Sequence, residues 1–483
     1  MKNIHISIIT HIIGICLIAE GVFIFFDILI STIFHDGLLI PLLESTFITL
    51  FFGFSFYLST KPKIYNKPSI KESFLIVTLS WVFISLFGTL PYLLSNSIPN
   101  FTDAFFETVS GFTTTGSSII TDIEALPKSI LFWRSETHWI GGMGIIALVI
   151  TVLPSSQISK NHLFSAEGSF FNTEKIQPRL IDVVKRVWLI YIILTIIESI
   201  SLMLAGMNWF DAICHSFATI ATGGFSTQNN SVVDYSPTIQ YILILFMFLS
   251  GINFILHYLF VLGKIKKVFQ NEELKAYFLI TIIITLLLSY SNFSVYQSVE
   301  VSFRQSLFQV VSILTATGFS STDYEQWAYF AQHLLFFTMF IGACVGSTGG
   351  GIKIARHIIL IKSLKAHIKK AIHPNAVTPI RFNKKVLTER QLSSTSSFII
   401  IYLLTFVFGL FIMMATGLDP KSASSSVITT LGGIGPGYGS IGPMNNFAEI
   451  SELGKYYLSF NMILGRLEII SVLSLFTGSF YKI

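Results

Sequence analysis

Thr113-Thr114-Thr115-Gly116-Ser117 is a short polar stretch set between an amphipathic run at about residues 102–112 and a long apolar run at about 129–153. Three relatives of it follow: Ala221-Thr222-Gly223-Gly224-Phe225-Ser226, Thr315-Ala316-Thr317-Gly318-Phe319-Ser320 and Leu431-Gly432-Gly433-Ile434-Gly435-Pro436-Gly437. Small, hydroxyl-bearing and glycine residues leave backbone carbonyls uncovered. Glycine also adopts backbone angles that a residue with a Cβ resists. One such stretch alone is an ordinary turn. Four of them meeting at one axis would present carbonyl oxygens able to replace the water shell of a cation.

The setting is a membrane. The 483 residues are 52% hydrophobic and 12% charged, against roughly 25% charged in soluble domains. An all-α polytopic membrane protein is expected. The run beginning Met1-Lys2-Asn3-Ile4-His5 has no small-residue cleavage site and reads as a retained first transmembrane helix. Cys16, Cys214 and Cys344 lie in or beside apolar segments without metal-ligand spacing, so they read as small buried side chains. Neither a nucleophile–base pattern nor a catalytic carboxylate pair is apparent, so an enzyme is not expected. Nucleic acid is not an expected partner.

Apolar runs near 5–32 and 38–59 read as two spanning helices joined by the tight turn His35-Asp36-Gly37. A pattern then recurs with a period of about 100 residues: long helix, short amphipathic helix, polar stretch, long helix. Its copies are 72–96, 102–112 and 129–153; 182–206, 210–221 and 237–263; 274–291, 303–315 and 327–361; 396–417, 421–431 and 452–480. About ten spanning helices and four re-entrant ones follow. Non-helical backbone at membrane depth must be buried in protein or line a watery cavity. Each short helix would aim its partly negative C-terminal end at a polar stretch, which favours a cation there. Asp103, Asp211 and Asp419 stand near three of the helix starts, while Arg304 stands near the other.

One set of connections is basic, with Lys61, Lys63, Lys67 and Lys71 in the first, Lys160, Lys175, Arg179, Lys185 and Arg186 in the next, Lys264, Lys266 and Lys267 in the third, and Lys362 to Arg390 in the last. The opposite set carries Asp36, Asp122, Glu124, Asp234, Asp323 and Glu449. The positive-inside rule puts the basic set and the N-terminus in the cytoplasm, and the polar stretches enter from outside. The segments at about 155–181 and 363–393 are the largest cytoplasmic ones, either partner-docking surfaces or basic anchors on anionic lipid.

The motifs Gly111-Phe112-Thr113-Thr114-Thr115-Gly116, Trp139-Ile140-Gly141-Gly142-Met143-Gly144, Ala221-Thr222-Gly223-Gly224-Phe225-Ser226, Thr315-Ala316-Thr317-Gly318-Phe319 and Gly346-Ser347-Thr348-Gly349-Gly350-Gly351 resemble those of the Trk/Ktr/HKT superfamily of potassium transporters. The resemblance is to the membrane subunit of bacterial Trk systems and covers nearly the whole chain. It implies four pseudo-repeats of helix, pore loop and helix around one pore, after two extra N-terminal helices. The corresponding division is 1–60 for the two N-terminal helices, then 61–160, 161–270, 271–390 and 391–483 for the repeats. It implies one filter glycine per repeat, Gly116, Gly224, Gly318 and Gly435, with Gly223 or Gly433 as alternatives in their repeats. The implied potassium ligands are the carbonyls of Thr114, Thr115, Thr222, Gly223, Ala316, Thr317, Gly433 and Ile434. The unequal repeats suggest a filter less symmetric than that of a true tetramer.

Glycine crowds Gly342-Ala343-Cys344-Val345-Gly346-Ser347-Thr348-Gly349-Gly350-Gly351-Ile352-Lys353, which cannot remain straight helix. It is not a phosphate-binding loop, because the Gly-Lys-Ser/Thr ending is absent. It is either a plain break between half-helices or, as the resemblance implies, a gate: residues Gly346, Ser347, Thr348, Gly349, Gly350 and Gly351 under the filter. Arg466, in an apolar run, either snorkels to the boundary or matches the family's pore-facing arginine, which tethers that gate. Glu136 and His138, near Trp133-Arg134, read as interfacial anchors rather than metal ligands. The resemblance further implies potassium uptake at the bacterial inner membrane, with potassium as the transported ion and no organic cofactor. It also implies a homodimer and a cytosolic nucleotide-binding regulatory subunit. A sodium- or proton-coupled symporter is the alternative.

Overall fold

The computed structural model describes residues 5–60, 68–152 and 177–481. Of the basic positions named above, Lys61, Lys63, Lys67, Lys160 and Lys175 fall outside the described residues, as does most of the segment at 155–181. The architecture is helical. Six described helices are long and apolar enough to cross a membrane, and eight do so if each of two bent pairs counts as one span.

The first two helices, Ile6–Phe34 and Leu39–Ser59, pack against each other along much of their length. Small residues allow the close approach: a Cβ on Gly14 would stand 2.7 Å from Tyr57 N and 2.8 Å from Gly53 O. The turn between them is fastened to the body of the protein, since Asp36 Oδ2 accepts from Ser129 N at 2.9 Å.

Four short helices point inward: Phe101–Phe112, Trp209–Ile220, Val299–Leu314 and Pro420–Gly432. Each has a side-chain N-cap, respectively Asn100, Asn208, Ser298 and Asp419, which satisfies amides that the helix leaves open. The Ser422 hydroxyl and the backbone amides of Ser422 and Lys421 hold the Asp419 carboxyl below its usual range. The third helix starts at Val299, earlier than residue 303. Glu300 therefore occupies its first turn, and Arg304 sits one turn on, paired with Glu300 at 2.8 Å. The apparent exception to the dipole rule disappears with the corrected start.

The second long helix of each repeat departs furthest from expectation. In the first repeat it is continuous over Lys128–Val152. In the second, Pro237–Ser250 and Phe254–Val261 meet at 96°, and in the fourth, Glu452–Arg466 and Ile470–Phe476 meet at 112°. In the third, Tyr329–Thr338 and Ile354–Ile372 are separated by the glycine-rich segment. The runs 237–263, 327–361 and 452–480 are therefore not single helices. Apolar composition hides these breaks, which are local: Asn253 accepts from Ile255 N at 2.8 Å and so starts a new helix. At the other bend Glu468 is left-handed, with φ 55°.

Candidate functional site

The four short helices end in the same way. At Thr115, Gly223, Thr317 and Ile434 the amide reaches back five residues, to Ser110, Ala218, Ser312 and Thr429, at 2.7–2.9 Å. The residue before each is left-handed: Thr114 at φ 54°, Thr222 at 55°, Ala316 at 58° and Gly433 at 68°. This is a Schellman ending, which satisfies a terminal carbonyl and turns the chain out of the helix. Two residues on, Gly116, Gly224, Gly318 and Gly435 are left-handed again, at 81°, 82°, 83° and 98°. Glycine takes that conformation without steric cost.

These repeated turns meet in a ring. A Cβ placed on Gly116 would strike Gly223 O, on Gly224 Thr317 O, on Gly318 Ile434 O, and on Gly435 it would stand 2.8 Å from Thr115 O. Each glycine thus lies against the carbonyl that precedes the glycine of the next repeat, and the fourth closes on the first. All twelve residues Thr114, Thr115, Gly116, Thr222, Gly223, Gly224, Ala316, Thr317, Gly318, Gly433, Ile434 and Gly435 converge on this ring. Gly433 occupies the position of Thr114, not of Gly116. The backbone is nearly fourfold, and the unevenness between repeats lies in the side chains. Thr113 and Thr115 share a hydroxyl hydrogen bond at 2.8 Å, as do Thr315 and Thr317 at 2.7 Å; the second and fourth repeats have no such threonine pair.

The ring is braced from behind by Arg134 and His138. Arg134, Glu136 and His138 are all buried. Arg134 donates to Glu107 at 2.7 Å and to Ser226 O at 2.8 Å, and its guanidinium lies 3.7 Å from the Phe225 ring centre. Glu107 also accepts from Ile119 N at 2.9 Å. His138 Nδ1 is 2.7 Å from Gly111 O, and Nε2 accepts from Phe225 N at 3.2 Å. Its ring fills the space that a Cβ on Gly223 would need. The anchoring assignment of Glu136 and His138 is therefore wrong: both are buried, and His138 belongs to a polar network that joins the first two repeats. Glu107, an acidic residue in the second half of the amphipathic pore helix, was the available signal in the sequence.

The glycine-rich segment lies under the ring, on the side of the pore-helix C-termini. Its ends pair as parallel strands, Ile341 with Ile352 and Gly342 with Lys353. Between them, Thr348 Oγ1 donates to Ile220 O at 3.1 Å. Gly349 packs on Thr315 O and Gly350 on Gly432 O so closely that neither position has room for a Cβ. The loop thus meets the carbonyl ends of three pore helices. Arg466 completes the set. Its guanidinium donates to Thr348 O at 2.6 Å and to Gly141 O at 2.8 Å, and so joins loop, fourth repeat and first. It does not snorkel. Lys353 Nζ donates to Gly349 O. Below the loop a cavity of about 100 Å³ is lined by Lys353, Arg356, Arg466 and Glu468 among others. No group of His, Cys, Asp and Glu suited to a metal ion occurs among the described residues.

Comparison with known proteins agrees in extent and in fold. A family model described as "Cation transport protein" matches residues 42–481. The Trk system potassium uptake protein TrkH of Escherichia coli (strain K12) is 38% identical over 487 residues, covering 99% of this chain and all of the relative. Its counterpart from Vibrio parahaemolyticus is 38% identical over 485 residues, 98% of this chain and 99% of the relative. Trk system potassium uptake protein TrkG of Escherichia coli (strain K12) is 31% identical, covering both chains fully. The crystal structure of the potassium transporter TrkH from Vibrio parahaemolyticus superposes with a TM-score of 0.90 at 35% identity, covering 99% of this chain and all of that one. These are transport proteins, not enzymes, and the apolar helices match a multi-pass bacterial membrane protein. On the family match and the end-to-end alignment, the chain belongs to the TrkH family of cation transport proteins.

Proposed function

We propose that this chain carries potassium into the cell through the ring of glycine turns, and that the loop under the ring is its gate. One observation carries the reading: four left-handed glycines, each against the carbonyl before the next, close a ring of backbone oxygens on one axis. Carbonyls spaced by backbone geometry can replace an ion's hydration shell. The Schellman endings leave four helix C-termini facing the axis, and their partial negative charge favours a cation. The ligands are the carbonyls of Thr114, Thr115, Thr222, Gly223, Ala316, Thr317, Gly433 and Ile434. Potassium is favoured because full-length relatives are named potassium uptake proteins.

Gly346, Ser347, Thr348, Gly349, Gly350 and Gly351 bar the path, and Arg466 holds them there while placing a positive charge below the ring. The functional unit is a homodimer in the bacterial inner membrane, with the N-terminus cytoplasmic. A cytosolic nucleotide-binding subunit moves the gate. The exposed residues Ile361, Leu364, Ile368 and Ile372 lie at helical spacing on Ile354–Ile372, the helix that leaves the loop. That face is available for a second protein surface.

The test is rubidium uptake into proteoliposomes under an imposed potential, with no sodium or pH gradient. Uptake driven by the potential alone is expected. Absence of uptake with the regulatory subunit present, restored by a sodium or proton gradient, would establish the coupled symporter instead.

A further inference from the structure

Glu273 is the second residue of the helix Glu272–Tyr296, away from the ring and from the tip of the loop. Its carboxylate is buried, and one oxygen, Oε1, accepts from Val345 N at 2.8 Å and from Ala355 N at 3.1 Å. Val345 precedes Gly346 at the entry to the loop, and Ala355 stands just past its exit. A single oxygen therefore bridges the two arms of the loop across ten residues of chain, beside the strand pair that also closes its root. A carboxyl oxygen has lone pairs for both amides.

The two ends of the loop are held by opposite chemistry. At the tip, Arg466 and Lys353 bind the carbonyls of Thr348 and Gly349. At the root, a carboxylate binds amides. Ala355 lies in the first turn of Ile354–Ile372, whose own N-cap residue, Lys353, offers no side-chain acceptor. Glu273 supplies that cap from another helix, at the end of the dipole that favours an anion. Its neighbour Glu272 pairs with Lys362, further along the same helix. Two successive carboxylates thus fasten Ile354–Ile372 to Glu272–Tyr296, and of the two Glu273 also holds the loop.

We propose that Glu273 is the latch at the root of the loop, a positioning residue that ties the Val345 amide to the first turn of Ile354–Ile372 so that displacement of this helix is passed to the loop under the ring. The proposal rests on the reading of that loop as a gate. It assigns to the helix with the exposed Ile361, Leu364, Ile368 and Ile372 the task of pulling the latch. Movement that separates Ala355 from Glu273 breaks the contact that the two amides share.

The experiment is basal rubidium uptake by the full-length chain in proteoliposomes without a regulatory subunit, with rubidium-over-sodium preference measured in parallel. Glu273→Ala should raise basal uptake about tenfold, the effect of losing two ordinary hydrogen bonds at one buried acceptor. Glu273→Gln retains an oxygen that can accept and should raise it by a smaller factor. Preference should stay unchanged in both, because the ring is not touched; a general loosening of the fold would alter it. Deletion of Gly349 to Gly351 serves as the reference. Wild-type or lower uptake in a folded Glu273→Ala protein, while the deletion raises uptake, overturns the latch and leaves the gate standing. If neither changes uptake, the gate reading fails and the latch with it. Should Glu273→Ala not fold, wild-type uptake by Glu273→Gln overturns the latch.

Discussion

Replacing Gly318 by serine tests the ring most directly. Gly318 has φ 83°, where a residue with a Cβ costs about 1–2 kcal/mol. The added Cβ would also overlap Ile434 O, and Pro436 Cδ at 3.0 Å from that Cβ blocks relief on the same side. The carbonyl of Ile434 must then move, and it is one of the proposed ligands. Since 1.4 kcal/mol is a factor of ten, a loss of only the conformational term's size in preferential ligation lowers potassium-over-sodium preference by about tenfold. Gly433→Ala is the matched control. Its φ is 68°, but the nearest atom to an added Cβ is Thr114 O at 4.0 Å. Moreover Thr114, Thr222 and Ala316 already hold side chains in that conformation in the other repeats. It should cost about 1 kcal/mol of stability and leave preference within about threefold, a shift under 1 kcal/mol. The assay is competitive uptake of rubidium and sodium into proteoliposomes by each folded variant. Equal damage from the two substitutions, or an unaltered preference in Gly318→Ser, would refute the assignment of ring positions.

Two further outcomes follow from the buried charges. Arg466→Gln removes charge-assisted bonds to Thr348 O and Gly141 O; at about 1.5–3 kcal/mol for such bonds, basal rubidium uptake should rise by tenfold or more. Unchanged uptake would show that the loop is held without it. Arg134→Met leaves Glu107 buried beside the first polar stretch. It should lower stability by about 3–5 kcal/mol, read as a drop in melting temperature in detergent, and Arg134→Met with Glu107→Gln should recover part of the loss.

The short helices and the polar stretches were legible because their signals are local. Asp103, Asp211 and Asp419 mark three of the helix starts and the threonine–glycine turns mark the ends, while the third helix begins at Val299, before the run expected from 303. The helix breaks at Asn253 and Glu468 were not legible, since apolar residues on both sides carry the same hydropathy through a bend. The anchor reading of Glu136 and His138 fails for a related reason, since both are buried. Beside tryptophan, a polar residue near a helix end has the pattern of an interfacial anchor. Nothing in the sequence reports that a pore helix and the adjacent repeat cover it. Glu273 is harder still, because an acidic residue in a first helical turn already has an ordinary explanation.

By itself, the sequence determined the membrane class, the four copies of one unit and the glycine content that lets backbone approach backbone. Composition and periodicity are properties of the chain read one segment at a time. The tertiary structure decided how the copies face one another. Gly223 and Gly224, or Gly433 and Gly435, are the same residue type, and only the neighbouring repeat distinguishes them. Gly224 and Gly435 turn toward a carbonyl, Gly223 leaves room for the His138 ring, and Gly433 turns to open space. Contact across a hundred or more residues makes that choice, through the steric exclusion of a Cβ from positions where a carbonyl or a ring already lies.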